Sequence, residues 1–377
     1  MGSKNVYASV KSYSKRGQLL KKADFQTLAE SRDLEELMTR IKNTIYAESV
    51  SDVQKPYTSL KIENALRGHL ADVHYSIAKT SGDRSIFNAY YMKFIISNLK
   101  SVLKGKVLGK SQEEIEAHIN LHAEELIKQR DIVVKALVAK DIEETVASLS
   151  SSQFGEDIAK AAALYNDKKN IQIFDIYFDK ILYQQLGRAI KNSRETEVTK
   201  LIGMDIDFYN LLSAIRGKFW GLEEEQIQDL IASTTPTASR DLISRMISAA
   251  SVRDAFNELT STRYKNLIPE SENDLDAISE FERKFELEIY QSSLRSFTKM
   301  FSFATIIGIT KLTAYEVRNL AAIAYAVEQK IPALGIFLGI YYSTGNLVLG
   351  AVLGFSAHFV AFAFSGKISR FLTKIIS

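Results

Sequence analysis

One nine-residue pattern occurs three times along this chain. Residues 98–106 read NLKSVLKGK, residues 210–218 read NLLSAIRGK, and residues 319–327 read NLAAIAYAV. The copies begin 112 and 109 residues apart. A nearly constant interval of this size predicts three copies of one structural unit, each the size of a small domain.

Apolar residues within each copy recur every three or four positions, which is the spacing of one face of a helix. In the first copy this face holds Phe94, Leu99 and Leu103, and in the second it holds Ile206 and Leu211. We therefore expect each copy to lie on a helix with a buried stripe, and the Asn and the cations to project from its flanks. With four prolines in 377 residues, the composition favours helix almost everywhere, so the predicted fold class is all-α.

The ends of these helices also carry signals. Gly109 and Gly221 follow the first two copies, and an acidic segment comes next, which predicts a helix end followed by a new helix. A separate helix is expected after Pro269, with Ser271 and Asp274 forming a capping box. Its predicted buried face consists of Leu275, Ile278, Phe281, Phe285, Ile289 and Phe297.

The recurring polar residues have two open interpretations. An Asn side chain both donates and accepts hydrogen bonds and an Arg can bridge two acceptors, so they can tie neighbouring helices together within each unit. Alternatively, they contact a partner. The structural or interface candidates are Asn98, Lys104, Lys106, Asp207, Asn210, Arg216, Lys218, Glu316, Arg318 and Asn319.

Charge and cysteine content exclude several classes of protein. The net charge of +3 lacks the basic excess that is typical of nucleic-acid binding, so no nucleic-acid partner is expected. The absence of cysteine excludes disulfides, thiol catalysis and cysteine-ligated metals, and it fits a cytosolic chain.

Motifs that would indicate catalysis are incomplete. Residues 105–111, GKVLGKS, have three residues between the glycines where a phosphate-binding loop needs four. His118 and His122 have the helical spacing of a zinc site, but Ile119 stands where the metalloprotease motif needs Glu. Asp205 and Asp207 lack the paired clusters of helical isoprenoid enzymes. We therefore predict no catalytic residue, cofactor or metal.

The C-terminal 46 residues differ from the rest. Residues 331–366 contain no Asp, Glu, Lys or Arg, and 347–364 form an 18-residue apolar run that is just long enough to cross a bilayer as a helix. A buried helix or an irregular hydrophobic tail is the alternative. We expect residues 332–377 to form a hydrophobic tail, a candidate membrane-associated helix.

Several stretches resemble one known family. Residues 6–20 read VYASVKSYSKRGQLL, 205–211 read DIDFYNL and 316–320 read EVRNL. Together with the three motifs and their spacing, these resemble the C subunit of archaeal A-type ATP synthases, which corresponds to the d subunit of V-type ATPases. The resemblance covers about residues 7–332.

The resemblance implies a fold and a role. It implies three similar helical domains in a pseudo-threefold funnel, which we place at 1–125, 126–235 and 236–331, with the tail at 332–377. It further implies a non-catalytic central-stalk subunit that joins the proteolipid rotor ring to the central shaft subunits during ATP synthesis and proton or sodium transport. Such a subunit is peripheral on the cytoplasmic face of the cell membrane.

The tail is the departure from the family, whose chains usually end near residues 331–334. It can anchor the protein in lipid or enter the lumen of the ring. A fused proteolipid is disfavoured, because no Asp or Glu for the ion follows Glu328. The alternative function is a membrane-tethered helical scaffold unrelated to the rotary ATPase, and an all-α enzyme is a third, disfavoured class.

Overall fold

The computed structural model describes residues 3–80, 85–191, 196–300 and 302–331, and these form α-helices, short 3-10 turns and loops without any strand. The predicted all-α class is confirmed. The first nine helices are α1 (Ser3–Gln18), α2 (Lys22–Ala29), α3 (Leu34–Ile41), α4 (Ser59–Ala78), α5 (Ser85–Val107), α6 (Gln112–Glu116), α7 (His122–Leu126), α8 (Arg130–Val138) and α9 (Ile142–Leu149). The others are α10 (Gly155–Lys168), α11 (Gln172–Lys191), α12 (Thr196–Phe219), α13 (Glu224–Leu230), α14 (Arg240–Ser248), α15 (Val252–Asn257), α16 (Asp274–Arg295) and α17 (Ala304–Glu328).

The chain divides into two compact units. The larger unit consists of Met1–Ser14 and Ala71–Thr310, and the smaller unit consists of Lys15–Leu70 and Lys311–Ser377. Helices α1, α4 and α17 each contribute residues to both. The smaller unit therefore brings together two parts of the chain that are far apart in sequence.

Four long helices of the larger unit pack side by side in alternating directions. Lys100 and Lys104 of α5 pair with Asp179 and Asp175 of α11, so the numbering runs in opposite directions along the two helices. Tyr183 of α11 stacks on Tyr209 of α12, with ring centroids 4.6 Å apart. Four residues later in α11, Gly187 lies beside Ile206, which comes three residues earlier in α12. These two helices are therefore also antiparallel.

The row continues to α16. Phe208 stacks on Phe285 with centroids 4.9 Å apart, and Arg216 pairs with Glu282 at 2.6 Å, so α12 and α16 are antiparallel. Helices α5 and α12, which carry the first two sequence motifs, consequently point in the same direction within the larger unit. The C-terminal ends of α5 and α12 therefore lie at the same end of the four packed helices, measured along the helix axes.

Apolar faces of these helices and the short helices form the core of the larger unit. Leu99 and Leu103 of α5 are fully buried, as the periodicity predicted, whereas Phe94 is half-buried. Leu99 and Leu103 belong to one cluster with Val102 of α5 and with Phe174 and Phe178 of α11. Burying an aliphatic or aromatic side chain of this size stabilises the fold by about 1.5–3 kcal/mol relative to exposure. The motif helices are therefore central to the core.

The helix predicted after Pro269 is present as α16, with two differences. Its N-cap is Asn273, whose side chain accepts from the N–H groups of Leu275 and Asp276, so the predicted Ser271–Asp274 capping box is wrong. Leu275 is 57% exposed, whereas Phe281 and the other predicted positions further along are buried. The first turn of α16 thus lies outside the core.

In the smaller unit, α2 and α3 pack beside one another and are followed by a buried turn segment. Leu37 and Ile41 of α3 and Tyr46 and Val50 after it are fully buried. The Glu328 carboxylate at the end of α17 accepts from the backbone N–H of Ser59, at the start of α4, at 3.1 Å. This unit is therefore held by contacts between the N-terminal and C-terminal parts of the chain.

Within the described part of the chain, no helix is both long enough and apolar enough to cross a bilayer. The predicted tail at 332–377 lies outside the described residues.

Candidate functional site on the repeated helices

The asparagines of the first two motifs are buried and hold a backbone segment. Asn98 of α5 donates from Nδ2 to the carbonyl of Asn120 at 2.7 Å and accepts at Oδ1 from the N–H of the same residue at 3.3 Å. Asn210 of α12 accepts from the N–H of Ala232 at 3.0 Å and donates to the carbonyl of Ser233. In both copies the N–H donor lies 22 residues after the Asn.

The prediction that these asparagine side chains project from the flanks of their helices is wrong, because both are buried. Asn98 is 4% exposed and Asn210 is fully buried. A buried backbone amide needs a hydrogen-bond partner, and an Asn side chain satisfies both an N–H and a C=O where the chain has no regular structure.

The cations at the sixth position after each Asn form ion pairs with the next long helix. Lys104 of α5 lies 2.9 Å from Asp175 of α11, and Arg216 of α12 lies 2.6 Å from Glu282 of α16. Burial raises the pKa of Glu282 above its ordinary value, and Arg216 opposes that shift. Each motif cation thus joins its helix to the following long helix of the row.

The motif glycines accommodate an isoleucine from the next short helix. A Cβ added at Gly105 would lie 2.5 Å from Cγ1 of Ile115, and one added at Gly217 would lie 2.7 Å from Cγ1 of Ile227. Both isoleucines are buried, on α6 and α13 respectively. Close helix contact is therefore the reason for glycine here.

Asp207, three residues before Asn210, is buried in a polar cluster. Its Oδ2 accepts from the Tyr264 hydroxyl at 2.7 Å, and its Oδ1 accepts from the Thr235 hydroxyl. Burial raises the pKa of Asp207 to about 6, although these hydrogen bonds oppose the rise. The backbone N–H of Ala238 also stabilises the charged form.

Glu316, three residues before Asn319, has a matching environment in the smaller unit. Its Oε1 accepts from the Tyr46 hydroxyl at 2.8 Å and its Oε2 accepts from the N–H of Leu20 at 3.0 Å. Burial raises the pKa of Glu316 to about 7, against the hydrogen bonds from these two residues. A carboxyl group, a phenol and a backbone N–H thus recur together.

A second recurring pattern, which our sequence reasoning missed, explains this match. In three places along the chain, two short helices precede a buried aromatic residue. The N-caps of the two helices are 12 residues apart in each place, and the aromatic residue lies 13 residues after the second N-cap. The first caps are Lys21, Gln129 and Ser239, the second caps are Asp33, Asp141 and Ser251, and the aromatic residues are Tyr46, Phe154 and Tyr264. The side chain of each second cap accepts from an N–H in the first turn of its helix, which stabilises the helix start.

The first copy replaces the polar pair by an apolar one. Ile95 stands three residues before Asn98, where the other copies have a carboxyl group, and Phe154 stands where they have a tyrosine. Both belong to the hydrophobic cluster of the larger unit that also contains Leu99 and Phe174. The first copy lacks both the carboxylate acceptor and the phenolic donor, so neither a buried carboxylate nor a buried hydroxyl is left there without a hydrogen-bond partner.

The remaining charged candidates have different environments. Lys106 donates to the carbonyls of Leu137 at 3.1 Å and of Ala139, and burial lowers its pKa. Lys218 is half-buried in the last turn of α12. The guanidinium of Arg318 lies 5.1 Å from the centre of the Tyr315 ring.

The third motif differs from the other two at its polar positions. Asn319 is 2% exposed, and its Oδ1 has no hydrogen-bond partner among the described residues. Tyr325 replaces the cation and the buried Ala326 replaces the glycine. The positive φ that follows the motif is nevertheless kept, at Lys330.

The histidines do not form a metal site within the described ranges. His122 bonds to Asp72 at 2.7 Å rather than joining His118. Across those ranges, no group of three or more His, Asp or Glu side chains is arranged to hold a metal ion. His74 is fully buried between aromatic rings, and burial lowers its pKa well below the ordinary value.

A cavity of about 600 Å³ lies beside the second motif's network in the larger unit. Ser233 and Thr235, which bind Asn210 and Asp207, contribute to its wall. Lys191 and Arg240 line it as well.

Exposed apolar side chains mark the C-terminal ends of the two parallel motif helices. Leu108, just after α5, is 61% exposed. Phe219 and Trp220, at the end of α12, are 40% and 45% exposed. In the described residues of the larger unit, this end of the helix row thus presents large apolar groups to solvent.

The described residues define an all-α protein in which long helices carry one recurring buried motif. Residues 8–336 match the model of the ATP synthase (C/AC39) subunit family, and the chain belongs to that family. The resemblance seen in the sequence is therefore confirmed.

Several similar proteins are described as C subunits of A-type ATP synthases. The chain is 26% identical over 337 residues to the A-type ATP synthase C subunit of Methanocaldococcus jannaschii, which covers 84% of this chain and 81% of the relative. It is 24% identical over 336 residues to the corresponding protein of Pyrococcus horikoshii, with 86% of each covered. The Haloferax volcanii protein of the same description is 26% identical over 284 residues, with 71% of this chain and 77% of the relative covered.

Proposed function

We propose that this chain is a non-catalytic central-stalk subunit of an A/V-type ATP synthase, a socket between the proteolipid rotor ring and the central shaft. The single observation that carries the proposal is the family match over residues 8–336. The environment of the motif supports it. The polar motif side chains that would have to act in catalysis are engaged in packing, as Asn210 and Arg216 are.

We further propose three similar modules, each made of one motif helix and two short helices. Helix α5 goes with α8 and α9, α12 goes with α14 and α15, and α17 goes with α2 and α3. The equal cap spacings and the recurring carboxyl–phenol pair support this grouping. The contiguous segments 1–125, 126–235 and 236–331, with the tail at 332–377, stay a separate prediction, because each proposed module takes helices from two of the first three segments.

A rotor socket transmits torque without bond chemistry, so it needs stiff internal connections and partner contacts on its surface. Ion pairs such as Lys104 with Asp175 and Arg216 with Glu282 supply connections between helices. Partner contacts then belong to exposed side chains, and Leu108 and Trp220 lie at one end of two parallel helices. Another component of the rotary complex covers them, because exposed aromatic groups are typical of protein interfaces.

The experiment is co-purification of the full chain with proteolipid ring and shaft subunits, followed by nucleotide hydrolysis assays of the chain alone. The proposal expects assembly and no hydrolysis by the isolated chain. A chain that binds membranes but neither ring nor shaft would favour the membrane-tethered scaffold instead. Trp220→Ser should weaken assembly without loss of thermal stability, whereas the buried Asn210→Ala should lower thermal stability.

A further inference from the structure

The cavity beside the second motif carries positive charge. Lys191 at the end of α11 and Arg240 at the start of α14 line it, and its described wall contains no acidic side chain. Within the described ranges neither cation forms an ion pair, and Asp241, the acidic neighbour of Arg240, pairs with Arg245. The described residues therefore leave the two cations at this cavity uncompensated.

The same cavity has an apolar part. Ile190 of α11, Ile231 at the end of α13 and Ile243 of α14 contribute to its wall, and all three are buried. Its volume of about 600 Å³ lies within the range of about 300–1,000 Å³ that is typical of binding sites. The cavity thus suits an occupant that has both an acidic group and apolar side chains.

The first copy of the repeat contains a counterpart of Arg240. Arg130 is the first residue of α8, as Arg240 is of α14, and the equal cap spacings make these two helices equivalent. The Nε of Arg130 lies 3.1 Å from Oε1 of Glu125, which belongs to α7. In the first copy, therefore, an acidic side chain of a short helix pairs with the arginine at this position.

The second copy has no counterpart of α7. Between the N–H that binds the motif asparagine and the next N-cap, the chain runs nine residues in the first copy, from Asn120 to Gln129. It runs seven residues in the second copy, from Ala232 to Ser239, and this shorter segment contains no helix. Residues 233–236 of the shorter segment line the cavity.

Helix α7 also supplies apolar side chains to the first copy. Its Ala123 is buried in one cluster with Ala71 of α4 and Tyr91 of α5, and Leu126 and Ile127 pack against that cluster. One turn of helix thus combines an acidic group for the arginine with an apolar face for the two long helices.

The long helices support the match between the cavity and the place of α7. Tyr75 and Phe94, which lie 23 and four residues before the first motif asparagine, pack against the α7 cluster. Gly187 and Ile206 lie at the same distances before the second motif asparagine, and a Cβ added at Gly187 would lie 3.8 Å from Cδ1 of Ile206. Gly187 lines the cavity, so the cavity wall has a glycine where the first copy has a tyrosine beside α7.

We propose that this cavity binds a short acidic helical segment of a partner protein, in the place that α7 fills in the first copy. A carboxylate of the segment pairs with Arg240 and Lys191, and its apolar side chains lie against the three isoleucines. The chain's own residues 123–127, AEELI, represent the chemistry of the occupant. The site rests on the repeat and not on the rotary function, so either proposal can fail without the other.

Disulfide trapping detects even weak binding, and the chain contains no cysteine that would compete. In the full chain, Thr234→Cys places a thiol on the cavity wall, and Ala250→Cys places one on exposed surface outside that wall. Each variant is equilibrated, in the presence of a thiol reductant, with cysteine-tagged peptides. The test peptide is NLHAEELI, the sequence of residues 120–127. One control peptide has both glutamates replaced by lysine, and the other has its last two residues replaced by serine.

The proposal expects about tenfold or more retention of the test peptide at Thr234→Cys relative to either control peptide, because like charges and lost apolar contacts both oppose binding. No such preference is expected at Ala250→Cys. Adding Lys191→Glu/Arg240→Glu to Thr234→Cys should reverse the preference between the acidic and the lysine peptide.

Equal retention of the three peptides, or the same preference at both thiol positions, would overturn the proposal. Retention of the serine peptide as strong as that of the test peptide would also overturn it, because the cavity would then bind anions without an apolar segment. An acidic preference that persists in the Lys191→Glu/Arg240→Glu background would show that these two cations do not hold the carboxylate.

Discussion

The hydroxyl of Tyr46 donates to the carboxyl group of Glu316 at 2.8 Å, although the two residues are 270 positions apart in the chain. The same pair, made by Tyr264 and Asp207, is found within the larger unit. In both places the phenol follows two short helices with the same cap spacing, which supports the proposed module formed by α17 with α2 and α3.

Removing the phenolic hydroxyl of Tyr264, or adding one at Phe154, should destabilise the protein. Tyr264→Phe leaves Asp207 buried with one donor fewer, and we expect a loss of about 1–3 kcal/mol in the free energy of unfolding measured by urea denaturation. The reverse change in the first copy, Phe154→Tyr, should also destabilise, because Ile95 offers no acceptor. A stabilising Phe154→Tyr variant would contradict the correspondence between the copies.

Stability should fall as the pH rises from about 4.5 to about 7. The pKa of Glu316 is raised from 4.5 to about 7, so the folded protein binds more protons than the unfolded chain in this range, and the contribution is lost as the pH passes the folded pKa. Glu316→Gln should reduce the decrease in urea midpoint between pH 5 and pH 8. The exposed control Glu113→Gln should show the wild-type decrease, and equal pH dependence in both variants would refute the assignment.

The motif glycines should not tolerate alanine. A methyl group at Gly105 overlaps Ile115, so Gly105→Ala should cost about 1–3 kcal/mol of stability, even though alanine favours helix by about 1 kcal/mol. Gly17 of α1 is the matched control, since an added Cβ there meets no atom within 4 Å. Thermal unfolding should therefore show a lower Tm for Gly105→Ala but not for Gly17→Ala. Combining Gly105→Ala with Ile115→Ala should cost less than the sum of the single changes.

The two motif cations should differ in their contributions. Arg216→Ala leaves Glu282, whose side chain is 13% exposed, without its cation, and we expect a loss of about 2 kcal/mol. Lys104→Ala should cost about 1 kcal/mol or less, because Asp175 is 32% exposed and Lys100 lies 3.4 Å from it. Urea denaturation measures both. The exchange Arg216→Glu/Glu282→Arg should recover part of the loss, and no recovery would argue against a direct pair.

The sequence predicted the features that depend on local spacing. The apolar stripe around Leu99 and Leu103 identified a buried motif helix, and Gly109 and Gly221 identified the helix ends. The structure adds that both glycines have positive φ. Periodicity alone did not reveal that Asn98 is buried, because its partner is a backbone amide 22 residues later.

Long-range pairs and the repeat of the short helices were not predicted. Their first caps are Lys21, Gln129 and Ser239, and since these residue types differ, only the constant spacing between helix starts reveals the repeat. The cap of α16 was misplaced by two residues, because Ser271 and Asn273 are both good caps and the backbone decides between them. The pair of Tyr46 and Glu316 depends on tertiary structure.

The measurement that tests the account most directly compares rotary complexes assembled with and without this chain. With the chain present, ATP hydrolysis should drive ion transport by the ring. Without it, the catalytic head should still hydrolyse ATP while ion transport is lost and the ring separates from the shaft. Ion transport that continues without the chain, or ATP hydrolysis by the purified chain alone, would contradict a non-catalytic coupling role.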